Sequence, residues 1–398
     1  MQKAPSIFIL LLLVSFGSVS AVLYTPALPQ IAHELALSQN AAQLTVTLFL
    51  IGYALGTLPY GPLADRFGRK VAAYLGICIA ILGGLLILFV KASDSFPLFL
   101  IGRLLMALGG SVGVQIAFTI VGDSYQHEKA TKVITYLMLS FAIAPSLAIA
   151  VGGFLTTYLG WMSCFYFLIG YSLFLLLLTF YLPETCPKKD RHALNMKVIA
   201  STYLRKFRNK KIILCSLMTG CGAAIIYLFA AEAPFIGIER IGLSPDQYGL
   251  MNFIPPLGLI LGSFLANFLS RYKRPLIDIL NGSIVTLFFT TLMLILFWLD
   301  FVNPWTLFLP MPLIYIGEAL MYANASSISL SHAQNKSYAS AVIAFVTISS
   351  AVVTLFINEA LPSEGILRMP VTFTLIAIIM LLLLGCLWRI TAKEKATR

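Results

Sequence analysis

Twelve times along this chain, a run of about twenty residues passes with almost no charge. The runs cover residues 6–25, 41–63, 71–91, 96–121, 131–156, 161–182, 212–236, 246–270, 276–299, 304–330, 338–361 and 368–390. A helix of that length crosses a hydrocarbon core of about 30 Å. Runs of that length and apolarity read as membrane-spanning helices. The composition agrees: 59% of the 398 residues are hydrophobic and 11% are charged, where a soluble domain carries about a quarter charged residues. The fold class expected is an all-α membrane protein with twelve transmembrane helices.

The net charge of +11 would point to nucleic acid on a soluble surface. Here its distribution follows the membrane instead. If the N-terminus is cytoplasmic, 23 of the 27 Lys and Arg fall on cytoplasmic segments. Lys91, Arg240 and Arg368 fall on the opposite side, and Arg103 falls inside a span. That asymmetry sets both termini in the cytoplasm. Lys3, the apolar run from Ile7 to Phe16 and the small residues Val19 and Ala21 imitate a cleaved leader. Removing that segment would unpair an even set of spans, so it is read as the first transmembrane helix.

The longest hydrophilic stretch, Glu184 to Lys211, is rich in Lys and Arg and divides the spans six and six. The expected domains are therefore an N-terminal six-helix bundle (1–183), a basic cytoplasmic linker (184–211) and a C-terminal six-helix bundle (212–398). The linker is read mainly as a solvated connection, with an amphipathic helix on the anionic inner leaflet as the alternative. Two related bundles are an arrangement common among secondary transporters.

Between the second and third runs lies Gly61-Pro62-Leu63-Ala64-Asp65-Arg66-Phe67-Gly68-Arg69-Lys70, with four charges and two glycines in ten residues. Six positions, Gly61, Asp65, Arg66, Gly68, Arg69 and Lys70, match the loop signature of the major facilitator superfamily without a gap, and the chain resembles that superfamily. The resemblance implies two pseudo-symmetric six-helix bundles and a cytoplasmic gating role for this loop. Asp65 would cap or pair across the bundle interface, and Arg69 would pair with Asp123 or Glu128. Leu100 to Gly109, around Arg103, resembles the fourth-helix motif, whose arginine is associated with proton transfer. Pro145, Gly152 and Gly153 match in part the fifth-helix antiporter motif, where small residues let helices approach closely. Tyr24-Thr25-Pro26-Ala27-Leu28-Pro29-Gln30-Ile31 resembles the first-helix motif of twelve-span drug:proton antiporters. Within that group the chain is most similar to the Bcr/CflA multidrug resistance transporters. Such relatives often carry an aspartate two residues before the tyrosine; this chain has Val22.

A charge in the bilayer interior costs several kcal/mol unless paired or hydrated, so each one is a candidate for function. Arg103, Glu232 and Glu318 stand out as proton-coupling residues. Glu318 lies about fourteen residues into its span, near the midplane, where an unpartnered carboxyl exchanges protons. Glu232 lies near an outer end and Arg103 about 10 Å from the outer surface; a carbonyl clamp or ion pair is the structural alternative for Arg103. Asp278 is too close to a span's cytoplasmic end to count as buried. Tyr53, Tyr136, Phe141, Tyr227, Phe229, Tyr315, Met321, Tyr322 and Asn324 are candidates to line a cavity for an amphipathic or aromatic ligand, though each has packing as its commoner use.

His33, His127, His192 and His332 are dispersed, and GxSxG, HExxH and phosphate-loop patterns are missing, so the chain is expected not to be an enzyme. The six cysteines lack ligand spacing and read as apolar filler. No cofactor or metal is expected. Expected partners are the lipid bilayer, a small-molecule substrate and protons as the coupling ion, with no nucleic acid and a monomeric state. The function expected is proton-coupled efflux of drugs or amphipathic molecules by alternating access, in a bacterial inner membrane. Alternatives are export of an endogenous metabolite such as a siderophore or amino acid, a uniporter without proton coupling, and a non-transporting sensor on a transporter scaffold.

Overall fold

The structure, a computed structural model, describes residues 5–93, 95–125, 127–186, 189–190, 193–195, 201, 204–272, 274–331, 336–361 and 366–396. Among them, eleven helices are long and apolar enough to cross a membrane. They become twelve when the pair Gln39–Thr57 and Tyr60–Phe67, bent by 43°, is taken as one span. We label the membrane helices α1 (Ile7–Val22), α2 (Gln39–Thr57, bent into Tyr60–Phe67), α3 (Arg69–Leu88), α4 (Phe96–Ser124), α5 (His127–Leu159) and α6 (Met162–Thr179). The remainder are α7 (Lys210–Pro234), α8 (Ile254–Leu269), α9 (Pro275–Trp298), α10 (Pro310–Ser331), α11 (Lys336–Ala360) and α12 (Arg368–Ala396). Each overlaps one apolar run of the sequence.

Helix ends sit where the local chemistry puts them. Ser38 accepts from Ala41 N (3.2 Å) to start α2. Asn209 Oδ1 accepts from Lys211 N and Ile212 N (3.1 and 3.2 Å) to start α7. These side chains take up N–H groups that a helix start leaves without intrahelical partners.

The described residues group into two compact units: Met1–Ala200 with Ser244–Leu250, and Ser201–Leu243 with Met251–Arg398. In the first, α3 packs along α4 and α6, α2 along α4, and α1 along α5. In the second, α10 packs along α8 and α9, and α7 along α10, α11 and α12. Lipid is as apolar as leucine, so helices in it associate through close packing at small residues. A Cβ on Gly83 would meet Gly102 O of α4, and one on Gly282 of α9 would meet Gly317 O of α10. The third and fourth helices of each half therefore cross at a glycine pair.

Candidate functional site

Three groups of charged residues, each with at least one buried member, organise the units. The first is built on a break in α1. Pro26 has no N–H to give to Val22 O, and Thr25 Oγ1 donates to that carbonyl instead (2.8 Å). The chain turns into the short helix Thr25–Ala27, and the last carbonyls of α1 need other donors. Arg103 of α4, fully buried, supplies them: Nη1 donates to Ser20 O (2.8 Å) and Nη2 to Ala21 O (3.1 Å). Its guanidinium carbon lies 4.0 Å from the Tyr24 ring centroid and 4.3 Å from that of Phe49. Two aromatic faces and the negative end of a helix dipole thus surround the cation. Tyr24 Oη is 2.7 Å from Thr45 Oγ1, which fixes the ring. Among the described residues no carboxylate pairs with Arg103. The geometry is the carbonyl clamp, and it joins the first-helix and fourth-helix motifs across more than eighty residues.

The second cluster is the Gly61–Lys70 loop. Arg69 Nη1 donates to Asp65 Oδ1 (2.5 Å) and Nε to Asp123 Oδ2 (2.9 Å). Asp65, expected to cap or pair across the bundle interface, thus has a partner in its own unit, four residues on. The side chain of Glu128 lies outside the described residues. Gly68 has φ +112°, a backbone region that strongly favours glycine. Glu184, which follows α6, fills the space beside it. Its carboxylate accepts from Arg69 N (2.9 Å) and Lys70 N (3.2 Å), the first free N–H groups of α3. Thr185 Oγ1 donates to Asp123 Oδ2 (3.2 Å), and Asp190 N to Asp65 O (3.0 Å). The stretch after α6 is therefore bolted onto the loop, a role absent from the reading of it as linker.

The third cluster lies in the second unit. Glu318 of α10 is 3% exposed, and its Oε1 has no hydrogen-bond partner among the described residues. Oε2 packs against Gly222 of α7. Glu232, also on α7, stands apart from it in character: Arg368 Nη2 lies 2.6 Å from Glu232 Oε1, and both side chains are 4% exposed. Asn358 Nδ2 of α11 donates to the same oxygen (2.5 Å), and Thr372 Oγ1 of α12 donates to Asn358 Oδ1 (2.8 Å). Arg368, read from sequence as a charge on the outer side at the first residue of the twelfth run, is buried at the start of α12, where Glu232 compensates its charge. Asp278, taken from its sequence position as too near a span end to be buried, is likewise buried at 5% exposed, while its neighbour Ile277 on the first turn of α9 is exposed.

The aromatic candidates do not form one group. Tyr53 stacks on Phe49 (centroids 6.4 Å) and Tyr136 is exposed, both in the first unit. Tyr227 is half-buried, Tyr315 buried and Tyr322 exposed in the second. Asn324 Nδ2 donates to Leu320 O of its own helix (2.9 Å). Phe229 and Met321 are core residues, 3% and 0% exposed. The side chain of Phe141 lies outside the described residues. Of the small-residue positions, Gly152 abuts Leu23 O and Gly153 abuts Pro245 O, while Pro145 lies inside α5.

Comparison with known proteins gives the class of protein to which this helical, charge-bearing scaffold belongs. The model of the Major Facilitator Superfamily matches residues 7–357; the chain belongs to that family. It is 26% identical to multidrug resistance protein D of Escherichia coli strain K12 over 323 residues, 81% of this chain and 79% of the relative. It is 29% identical to a bicyclomycin resistance protein homolog of Haemophilus influenzae over 272 residues, 66% of each chain. The chain spans about two thirds of the length of several curated relatives, among them an uncharacterized transporter of Rickettsia bellii (29% identity, 68% of this chain, 66% of the relative). Among solved structures, a D-xylose-proton symporter superposes with TM-score 0.73 at 15% identity, covering 94% of this chain and 96% of that one. The POT family transporter PepTSo gives 0.75 at 15%, covering 96% and 98%. These likenesses establish the fold: an all-α, major facilitator architecture of two six-helix halves. The chain is a transporter and not an enzyme.

Proposed function

We propose that this transporter exports drugs or other amphipathic small molecules in exchange for protons, by alternating access, across a bacterial inner membrane with both termini cytoplasmic. The relatives named for multidrug and bicyclomycin resistance support the cargo class. The observation that carries the coupling is Glu318, a buried carboxylate with an oxygen unpartnered among the described residues. A buried carboxylate without a partner is costly as an anion and comfortable as an acid. It gains a proton when reached from the outer side and gives it up on the cytoplasmic side, where a substrate competes for the site. A ligand shifts the two-state equilibrium only by its different affinity for the two states, and the bound proton supplies that difference here.

In this reading Glu232 and Arg103 are not the proton carriers. Glu232 shares its charge with Arg368 and ties α7 to α11 and α12. Arg103 holds the broken end of α1. The Gly61–Lys70 loop, with Asp65, Arg69 and Asp123, biases the equilibrium between states through charge pairs that are individually weak. The tyrosines near Glu318, Tyr315 and Tyr322, are the first to test for substrate contact.

The test uses purified protein in proteoliposomes loaded with a pH-sensitive dye, with cationic, neutral and zwitterionic amphiphiles added under an imposed pH gradient. The expected result is substrate-dependent proton movement that disappears in Glu318→Gln. Substrate flux without proton movement in the unmodified protein would overturn antiport. Undiminished coupling in Glu318→Gln would remove Glu318 from the mechanism.

A further inference from the structure

Where the chain enters the second unit, a groove of about 280 Å³ is lined by Phe207, Arg208, Lys210, Ile213, Leu214 and Ile390. Its walls are held in place. The Phe207 ring meets Phe345 of α11 edge-on at 6.0 Å and packs with Ile213 on Ile212, Val342 and Ile343. Asn209, between the two cations, caps α7 through its side chain. Arg208 and Lys210 are thereby set on either side of a fixed turn, and both are exposed. Ile390 comes from the last turns of α12, next to exposed Arg389.

The chain segments that line the groove are mainly basic. The sequence has no acidic residue between Asp190 and Glu232, and the one acid within a helical turn of Ile390, Glu394, lies between Lys393 and Lys395. Two exposed cations lining a groove with four apolar side chains are ill-suited to a soluble anion, which would leave the apolar wall empty. They suit an amphiphile with a phosphate at one end. We propose that this groove binds an anionic phospholipid of the cytoplasmic leaflet, its phosphodiester between Arg208 and Lys210 and an acyl chain along Phe207, Ile213, Leu214 and Ile390. Basic pockets among membrane helices on the cytoplasmic side recognise such headgroups. The lipid is then a clasp joining the end of the linker to α7 and α12. This assignment rests on the cytoplasmic placement of the linker and is independent of cargo and proton coupling.

Native mass spectrometry of the full-length protein in detergent, titrated with dioleoyl phosphatidylglycerol, dioleoyl phosphatidylethanolamine or inorganic phosphate, tests it. The expected outcome is retention of phosphatidylglycerol at least about tenfold over phosphatidylethanolamine. In R208Q/K210Q that retention falls about thirtyfold, the factor expected for two cations near the headgroup. The control R271Q/R274Q removes two exposed cations from another turn and keeps the lipid; both doubles elute as monodisperse protein. Equal retention of the two lipids, equal loss in the two double variants, or displacement of phosphatidylglycerol by equimolar inorganic phosphate would each overturn the proposal. The readout needs no transport, so its failure is separable from failure of antiport.

Discussion

Oε2 of Glu318 occupies, against Gly222, the space that any side chain at position 222 would need. Glycine on α7 is thus what lets a carboxylate on α10 lie buried between two helices. The position of the acid depends on a residue that carries no chemistry of its own.

That dependence makes Gly222→Val informative. Overpacking a tight helix contact costs about 1–3 kcal/mol, and the carboxylate is the mobile partner. The variant is expected to fold, because Glu318 can turn away, while substrate-driven proton movement falls on the order of tenfold or more. Coupling at the level of the unmodified protein would show that the Gly222 contact is irrelevant to transport.

Arg103 makes a prediction about stability. Lysine at 103 keeps the charge but not the planar fork that reaches Ser20 O and Ala21 O together, nor the stacking on Tyr24 and Phe49. Arg103→Lys is expected to cost about 1–3 kcal/mol through carbonyls left without donors, seen as a lower unfolding temperature of the purified protein. Arg103→Leu should cost more. Wild-type unfolding temperature in Arg103→Lys would mean the clamp contributes nothing measurable.

The Glu232–Arg368 pair calls for a double-mutant cycle. Removing one partner of a buried pair leaves an uncompensated charge and typically costs about 3–5 kcal/mol. Glu232→Gln and Arg368→Gln should each destabilise strongly, and the double variant should be more stable than the sum of the two losses predicts. Strictly additive losses would show that the two residues are not coupled.

The sequence makes one part of this molecule far more legible than the other. Span limits follow from apolar length, so α9 at 275–298 coincides almost with the run 276–299. Burial of Glu318 follows from its depth in such a run. What stays hidden is the identity of partners. Arg368 lies 136 residues from Glu232, and Glu184 lies 115 from Arg69; nothing local to either residue names the other. A Lys or Arg at a helix start reads as a loop charge by default, and only packing of α7 against α12 turns Arg368 into a buried partner. A signal for Glu184 did exist: it is the first acid after the sixth run, directly following Pro183. Its meaning required the loop it caps.

The last prediction concerns that cap. Glu184→Ala removes the acceptor for two N–H groups at the start of α3, where a negative charge also complements the positive end of the helix dipole, and loss of a helix cap costs about 0.5–2 kcal/mol. Glu184→Gln keeps an oxygen acceptor and loses the charge, so it should lose less. Gly68→Ala should be worse than either, since it meets both a positive φ and the Glu184 carboxylate. If the cap matters only for folding, all three variants lower the unfolding temperature and leave transport per folded molecule unchanged. If it also sets the gate, as its bonds to the Asp65–Arg69–Asp123 cluster favour, Glu184→Gln reduces substrate flux in proteoliposomes by more than its stability loss accounts for. We expect the second outcome; unchanged flux per folded molecule in Glu184→Gln would confine Glu184 to the structure of the turn.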